Sequence, residues 1–265
     1  MTEAGNIRIG VGGWNFEPWR ETFYPKGVPK TRELEYMAGR LTSIEINSTY
    51  YGSKTPDSFR KWRDATPDDF VFCVKGTRFA TNRRVLAEAG PSVERFFKSG
   101  VTELGAKLGP INWQFATTKR FEPDDFAAFL DLLPKSVDGL AIRHAVEVRH
   151  GSFCSPEFVA LARDRGVGVV VAADGKYPQI ADVTGSYVYA RIMGTTEEEE
   201  AGYSGATLDA WAGRAKAWSR GDAAPGLETI APPAKPEARD VFCYVISGFK
   251  AKNPLAAMAL MERLR

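Results

Sequence analysis

The sequence predicts an α/β protein, a closed (β/α)8 TIM barrel forming a single domain over residues 1–265. Three observations predict it. At 265 residues the chain has the usual size of one such barrel. Short β-branched runs bounded by Gly, Pro or polar turns recur along it, and eight can be counted. Stretches with helical patterning lie between these runs, and strand alternating with helix through one chain calls for a parallel sheet covered by helices.

The first run is "IRIGVGGW" from residue 7. It leads through "NFEPW", with Pro18, and lacks the G-x-G-x-x-G spacing, which argues against an open dinucleotide-binding sheet. A helical stretch "LEYMAGRL" (34–41) precedes the second run, "SIEINSTY" from 43, and "FVFCVKG" from 70 and "INWQF" from 111 follow. Next come the helical "FAAFLDLLP" (126–134), the fifth run "AVEVRH" from 145, and the helical "PEFVALARDRG" (156–166). The sixth and seventh runs are "VGVVVAAD" from 167 and "YVYARIMG" from 187, and "LDAWAGRAKAWSRG" (208–221) reads as the helix after them. The eighth run, "VFCYVIS" from 241, and a last helix in "NPLAAMALMERLR" complete the pattern. One break interrupts it, a Pro/Ala-rich excursion at 221–240 before the eighth strand. Its composition is that of a mobile spacer rather than a partner-binding arm.

Hydrophobic residues make up 44% and charged residues 26%, with a net charge of +2, which excludes a disordered chain and a dedicated polyanion binder. Any basic site must therefore be local. Cys73, Cys154 and Cys243 are odd in number and widely spaced, so neither a disulfide framework nor a zinc ribbon is expected, and reduced thiols are. The opening "MTEAGNIRIG" has no charged and then apolar signal region, and no apolar run approaches the ~20 residues that cross a bilayer. The expectation is a cytoplasmic protein without membrane association; oligomeric state is left open.

Alternation along each strand sorts side chains into those facing the helices and those facing inward. Ile44 and Ile46 take the helix side, which turns Glu45 and Asn47 inward; Phe72 and Val74 do the same for Cys73 and Lys75. Val146 and Val148 outward leave Glu147 and Arg149 inward, and the same test turns Trp14, Gln114, Asp174 and Arg191 inward. These residues stand at or near the C-terminal strand ends, where barrel enzymes keep their catalytic groups. Both histidines lie in "HAVEVRHGSF" (144–153): His144 starts its strand at the far end, and His150 has the outward parity but can turn toward the site in the loop.

The blocks "GGWNFEPWRETFYP" (12–25), "EINSTYYGSKTPDSFRKW" (45–62), "DFVFCVK" (69–75) and "EVRHGSF" (147–153), in that order, resemble the YecE-like family, also called domain of unknown function 72. The resemblance implies a TIM barrel without an established reaction. Family motif positions carried onto this chain are Trp14, Glu45, Asn47, Tyr51, Lys75, Gln114, Glu147, Arg149, His150, Asp174, Arg191 and Gly194. The chain departs from the pattern at "RIMG", where Met193 replaces a usual histidine, at "VISGF" after the eighth strand, and at "QFAT" after the fourth. A reaction needing that histidine would be lost or run differently here.

The inward set joins three cations, Lys75, Arg149 and Arg191, to three carboxylates, Glu45, Glu147 and Asp174. Such groups must pair with one another or with a ligand, because an unpaired buried charge is costly. The plainest reading is a structural ion-pair network. A metal centre is limited by the histidine count, leaving a carboxylate site for Mg²⁺ or Mn²⁺ with Lys75 and Arg149 as competing cations. No other cofactor is expected. Acid and base catalysis by Glu147, Glu45, Asp174 or Lys75 would suit a hydrolase, lyase or isomerase, and a desolvated Lys75 could form a Schiff base.

The preferred reading is an enzyme acting on a small anionic substrate, phosphorylated or sugar-like. Arg149, Arg191 and Lys75 would bind the anion; Trp14, Asn47, Tyr51, Gln114 and His150 would complete the site. The rival is a non-catalytic barrel that binds a nucleotide or nucleic acid. "FRKWR" (59–63) and "GTRFATNRR" (76–84) favour it, and the acidic "EEEE" (197–200) on the same face opposes it.

Overall fold

A computed structural model describes residues 4–265. Eight strands form the closed barrel predicted: β1 (Ile7–Gly12), β2 (Ser43–Ile46), β3 (Val71–Lys75), β4 (Leu108–Gln114), β5 (His144–Glu147), β6 (Gly168–Ala173), β7 (Tyr187–Ile192) and β8 (Asp240–Val245). Each is parallel to both neighbours, and β8 returns to β1 with Ile7 beside Val241. The outer layer holds α1 (Glu33–Ala38), α2 (Pro56–Asp64), α3 (Gly90–Lys98), α4 (Pro123–Asp131), α5 (Pro156–Asp164), α6 (Gly205–Arg220) and α7 (Asn253–Glu262).

Local chemistry explains the helix starts. A proline occupies the first turn of α2, α3, α4, α5 and α7, where its missing N–H has no partner to lose. Thr55, Ser155 and Ser204 cap α2, α5 and α6, their hydroxyls accepting from the amides of Ser58, Phe158 and Thr207.

Two apolar layers result from the strand alternation. The larger lies between strands and helices and contains Ile9, Ile44, Ile46, Phe72, Val74, Val146 and Val188. The smaller fills the barrel with Cys73, Ala145, Val170, Ala172, Tyr187, Tyr189, Phe242 and Tyr244. Tyr244 on the tyrosine-rich side of β7 and β8 faces Gly10 on β1, whose missing side chain leaves it room, and Gly12 does the same for Asn47 and Ile246. A Cβ on Gly10 would stand 2.2 Å from the Ser43 carbonyl oxygen and 3.0 Å from the Tyr244 ring. Gly10→Ala is therefore expected to cost roughly 1–3 kcal/mol of stability by overpacking. Urea unfolding checks this; an unchanged midpoint would mean that β1 and β2 part without strain.

No helix separates β6 from β7 among the described residues. The Pro/Ala-rich segment after α6 folds back over that connection instead. Asp182, 1% exposed, accepts from the Ile230 and Ala231 amides at 2.8 and 2.9 Å. Arg239, also buried, donates to the carbonyls of Lys235 and Glu237 at 2.8 Å. Buried polar groups that satisfy backbone donors and acceptors in this way anchor a segment whose composition alone suggested mobility. No helix among the described residues is long and apolar enough to cross a membrane.

Candidate functional site

The C-terminal mouth of the barrel opens into a cavity of about 500 Å³. Its cations are Lys75, Arg149, Arg191 and Lys250, and among the described residues no carboxylate lines it. Trp14, Asn47, Tyr51 and Gln114 line it as well, so seven of the residues expected at the site converge on one space.

Glu45 and Glu147 lie directly beneath, both 0% exposed. Glu147 is gripped from two strands. Arg149 donates to its Oε1 through Nε at 2.8 Å and Nη2 at 2.6 Å, while Oε2 accepts from Arg191 Nη1 and, at 3.3 Å, from Asn112. Glu45 accepts from Arg191 Nη2 at 3.1 Å through Oε1 and from the Tyr189 hydroxyl at 2.5 Å through Oε2. Arg191 thus bridges the two carboxylates. Burial works to raise the Glu147 pKa, but the pull of Arg191, Arg149 and Lys75 outweighs it and brings the group down to about 2. For Arg191 burial opposes its charge, yet Glu147 and Glu45 hold its pKa above the ordinary value.

Lys75 differs from both arginines. Its backbone carbonyl accepts from Thr49 Oγ1 at 2.7 Å, which fixes the strand end, and its Nζ lies 4.8 Å from the centre of the Tyr50 ring. Among the described residues the ammonium has no hydrogen-bond or ion-pair partner. Burial first, and then repulsion by Arg191, lower its pKa to about 8, against a partial counter-pull from Glu45 and Glu147.

The rim is aromatic. Trp14 packs edge to face on Trp62 with ring centres 5.3 Å apart, and its carbonyl accepts from the Tyr24 hydroxyl. Tyr51 and Phe79 are exposed, with the Arg78 guanidinium 5.8 and 5.6 Å from their ring centres. Lys250 sits 4.1 Å from the centre of Phe16.

Two expected site residues are placed elsewhere. Asp174 follows β6 with a φ of 56°, and this left-handed turn ends the alternation that would have aimed it inward. Its carboxylate instead accepts from Trp211 Nε1 at 2.9 Å and the Tyr203 hydroxyl at 3.2 Å, against α6. The expectation that Asp174 joins Glu45 and Glu147 in the mouth is thereby corrected. Gly194 makes this arrangement possible, because a Cβ there would come within 2.7 Å of Asp174. His150 heads the short turn Gly151–Phe153, where its Nδ1 accepts from the Ser152 amide at 3.1 Å; it shapes the loop after β5 and does not line the cavity. Met193 is buried in the barrel interior.

The separation of Asp174 removes the three-carboxylate ion site envisaged from sequence. No group of three His, Cys, Asp or Glu side chains among the described residues is placed to share an ion. His144 is remote from the mouth, accepting from Trp113 Nε1 on Nδ1 and donating from Nε2 to the Pro134 carbonyl. Burial holds its pKa near 4, so it stays neutral.

Sequence reading missed Asn112, Tyr189 and Lys250. Asn112 and Tyr189 carry the inward parity of β4 and β7 one step below the mouth, and extending the alternation would have found them. Lys250 lies in the loop after β8, where no alternation exists to place it.

Comparison with known proteins agrees with this barrel. The chain is 29% identical over 150 residues to the UPF0759 protein YecE of Escherichia coli K12, a match covering 56% of this chain and 50% of that protein. It thus spans about half the length of that curated relative. The crystal structure of a DUF72 family protein (TM1631) from Thermotoga maritima superposes with a TM-score of 0.75 at 22% identity, covering 98% of this chain and 99% of that one. A second DUF72 family protein (EF0366), from Enterococcus faecalis, gives a TM-score of 0.70 at 16% identity over 97% of each chain. At these identities the two structures show a shared fold. The family model described as "Protein of unknown function DUF72" matches residues 8–265, from the first barrel strand through the last helix, and the chain belongs to that family.

Proposed function

We propose that the protein is an enzyme whose substrate is a small organic anion, phosphorylated or sugar-acid-like, bound in the barrel mouth. The observation that carries this reading is a cavity lined by Lys75, Arg149, Arg191 and Lys250, with no lining carboxylate among the described residues. Glu45 and Glu147 neutralise two of these charges from below, which leaves the cavity with an excess of positive charge. Two lining residues also hold unused polar atoms, the buried Nε of Arg191 and Oδ1 of Asn47, and buried groups of this kind call for a partner.

On this geometry the carboxylates position the arginines and do not move protons. Each oxygen of Glu147 already receives a cationic donor, and neither glutamate reaches the cavity surface. Lys75 is the inner group with a free ionisable end and a pKa near working pH, which suits it for acid or base chemistry.

The charge on Lys75 gives the reading a pH test. In the free fold its pKa is about 8, below the usual lysine value, so the stability linked to Lys75 is lost as pH falls through 8. A bound anion opposes that loss by favouring the ammonium. Sulfate, whose own charge is constant over the range, is expected to bind roughly tenfold more weakly above pH 8 than below it, the scale of one charge-assisted contact. Calorimetric titration at several pH values measures this. A flat profile would remove Lys75 from the anion's contacts, and no sulfate binding at any pH would overturn the anion reading.

A nucleotide is the second reading, favoured by the exposed Tyr51 and Phe79 with Arg78 between them at the rim. A duplex has less support. The cations of "FRKWR" are paired on α2 itself or with its neighbour, Lys61 with Asp57, Arg63 with Asp64 and Arg60 with Glu103. Mononucleotides that raise the melting temperature more than sugar phosphates at equal concentration would select the nucleotide.

A further inference from the structure

We propose that Lys75 forms a covalent imine with a carbonyl group of the bound anion, which narrows the substrate class to anionic aldehydes and ketones. The inference rests on the anion reading above and deepens it.

The geometry of the amine is the first argument. Several other lysine nitrogens are tied down: Lys107 donates to the carbonyls of Arg63 and Thr66 at 2.7 Å, Lys252 to those of Glu197 and Glu199 at 2.6 Å, and Lys216 to that of Arg263 at 2.7 Å, whereas Lys250, on the cavity's β8 side, lies against the Phe16 ring and is less deeply set than Lys75. Lys75 ends β3 inside the cavity, 7% exposed, with its nitrogen against a ring face and no acceptor. An amine held by carbonyl or carboxylate acceptors is kept as an ammonium; one held among arginines is not. The lowered pKa of about 8 leaves an appreciable share of free amine at neutral pH, as imine-forming lysines require.

The surroundings supply the second argument. Arg149, Arg191 and Lys250 share the cavity with Lys75, so an anion bound by them holds the rest of the molecule beside the amine. The free Lys75 nitrogen attacks the carbonyl carbon while the C=O π pair moves to oxygen. A proton passes from nitrogen to that oxygen to give the carbinolamine, and a second proton lets it leave as water. Overall, one ammonium and one carbonyl give one iminium and one water, with no oxidant or reductant. The iminium keeps the positive charge that Glu45 and Glu147 already balance from below.

Pyruvate, dihydroxyacetone phosphate and pyridoxal phosphate serve as probes, each incubated with the full chain and sodium borohydride, which reduces an iminium to a stable secondary amine. Peptide mapping by mass spectrometry is expected to find the adduct on Lys75 with at least one probe, and inorganic phosphate is expected to lower its yield several-fold. Lys75→Met should abolish that adduct, while Lys98→Met, at an exposed lysine outside the cavity, should retain it. Equal labelling of surface lysines with Lys75 unmodified would overturn the inference. If phosphate still raises the melting temperature in that case, the anion reading stands without the imine. If Lys75 is modified but phosphate neither protects nor stabilises, the imine stands and the anion reading fails.

Discussion

Arg191→Ala is expected to cost roughly 3–5 kcal/mol of stability, the range for removing one partner of a buried ion pair. For a chain of this length that corresponds to a fall in melting temperature of roughly 5–10 °C. The size follows from position. Arg191 is 3% exposed and contacts Glu45 and Glu147, both of which are 0% exposed. Glu147 would keep Arg149, whereas Glu45 would keep only the Tyr189 hydroxyl and the Asn112 amide in contact. A buried carboxylate stripped of its cation is costly to keep in the fold. The pH dependence then separates this cause from simple loss of packing. In the parent, Glu147 titrates at about 2, below its unfolded value, so its contribution is present at neutral pH and lost only as pH falls through the acid range. In the variant Glu147 loses Arg191, the strongest charge pull on it, so less of that contribution remains. The stability gap between parent and variant should therefore be widest at neutral pH and narrow as pH falls through the acid range. Urea unfolding at several pH values measures it, and a constant gap would show that Arg149 alone holds Glu147 ionised.

Alternation along the strands was enough to place most of this network from sequence. Glu45, Lys75, Gln114, Glu147, Arg149 and Arg191 all have the inward parity, and each is in the mouth or directly below it. Parity holds only while the backbone stays extended. It failed at Asp174, where a single positive φ turned the carboxylate toward Trp211, and nothing in "AADGKY" fixes which residue leaves the strand first. Depth was the second thing alternation could not supply. The charged residues of β2 and β5 read as lining groups in sequence, but the tilt of the strands sets Glu45 and Glu147 one layer below the arginines they hold. That difference of one layer shifts the chemistry from the carboxylates to Lys75. The fold itself was more legible than the site because it depends on a repeated pattern, and the site depends on single residues and on loops such as the one bearing Lys250.

Arg149→Ala is expected to weaken the binding of phosphate-bearing ligands roughly tenfold or more, the value of one charge-assisted hydrogen bond, with a smaller loss of stability than Arg191→Ala. The side chain is 17% exposed, so water can reach the vacated position, and Glu147 retains Arg191 and Asn112. Donor counting sets the expected loss at the lower end of the range. Nε and Nη2 are occupied by Glu147 and Gln114, and Nη1 gives one hydrogen to the Tyr177 hydroxyl at 3.3 Å, which leaves one N–H for a ligand. The charge itself matters as much as that donor. Arg149→Lys restores the charge but cannot span Glu147, Gln114 and Tyr177 together, so its affinity should fall between parent and Ala variant. Calorimetric titration of sulfate against the three proteins makes the comparison. Equal affinity in all three would place the anion on Arg191 and Lys250 alone, on the β7 and β8 side of the mouth. The β5 arginine would then be a support for Glu147, and the ligand would reach Lys75 from one side of the barrel only.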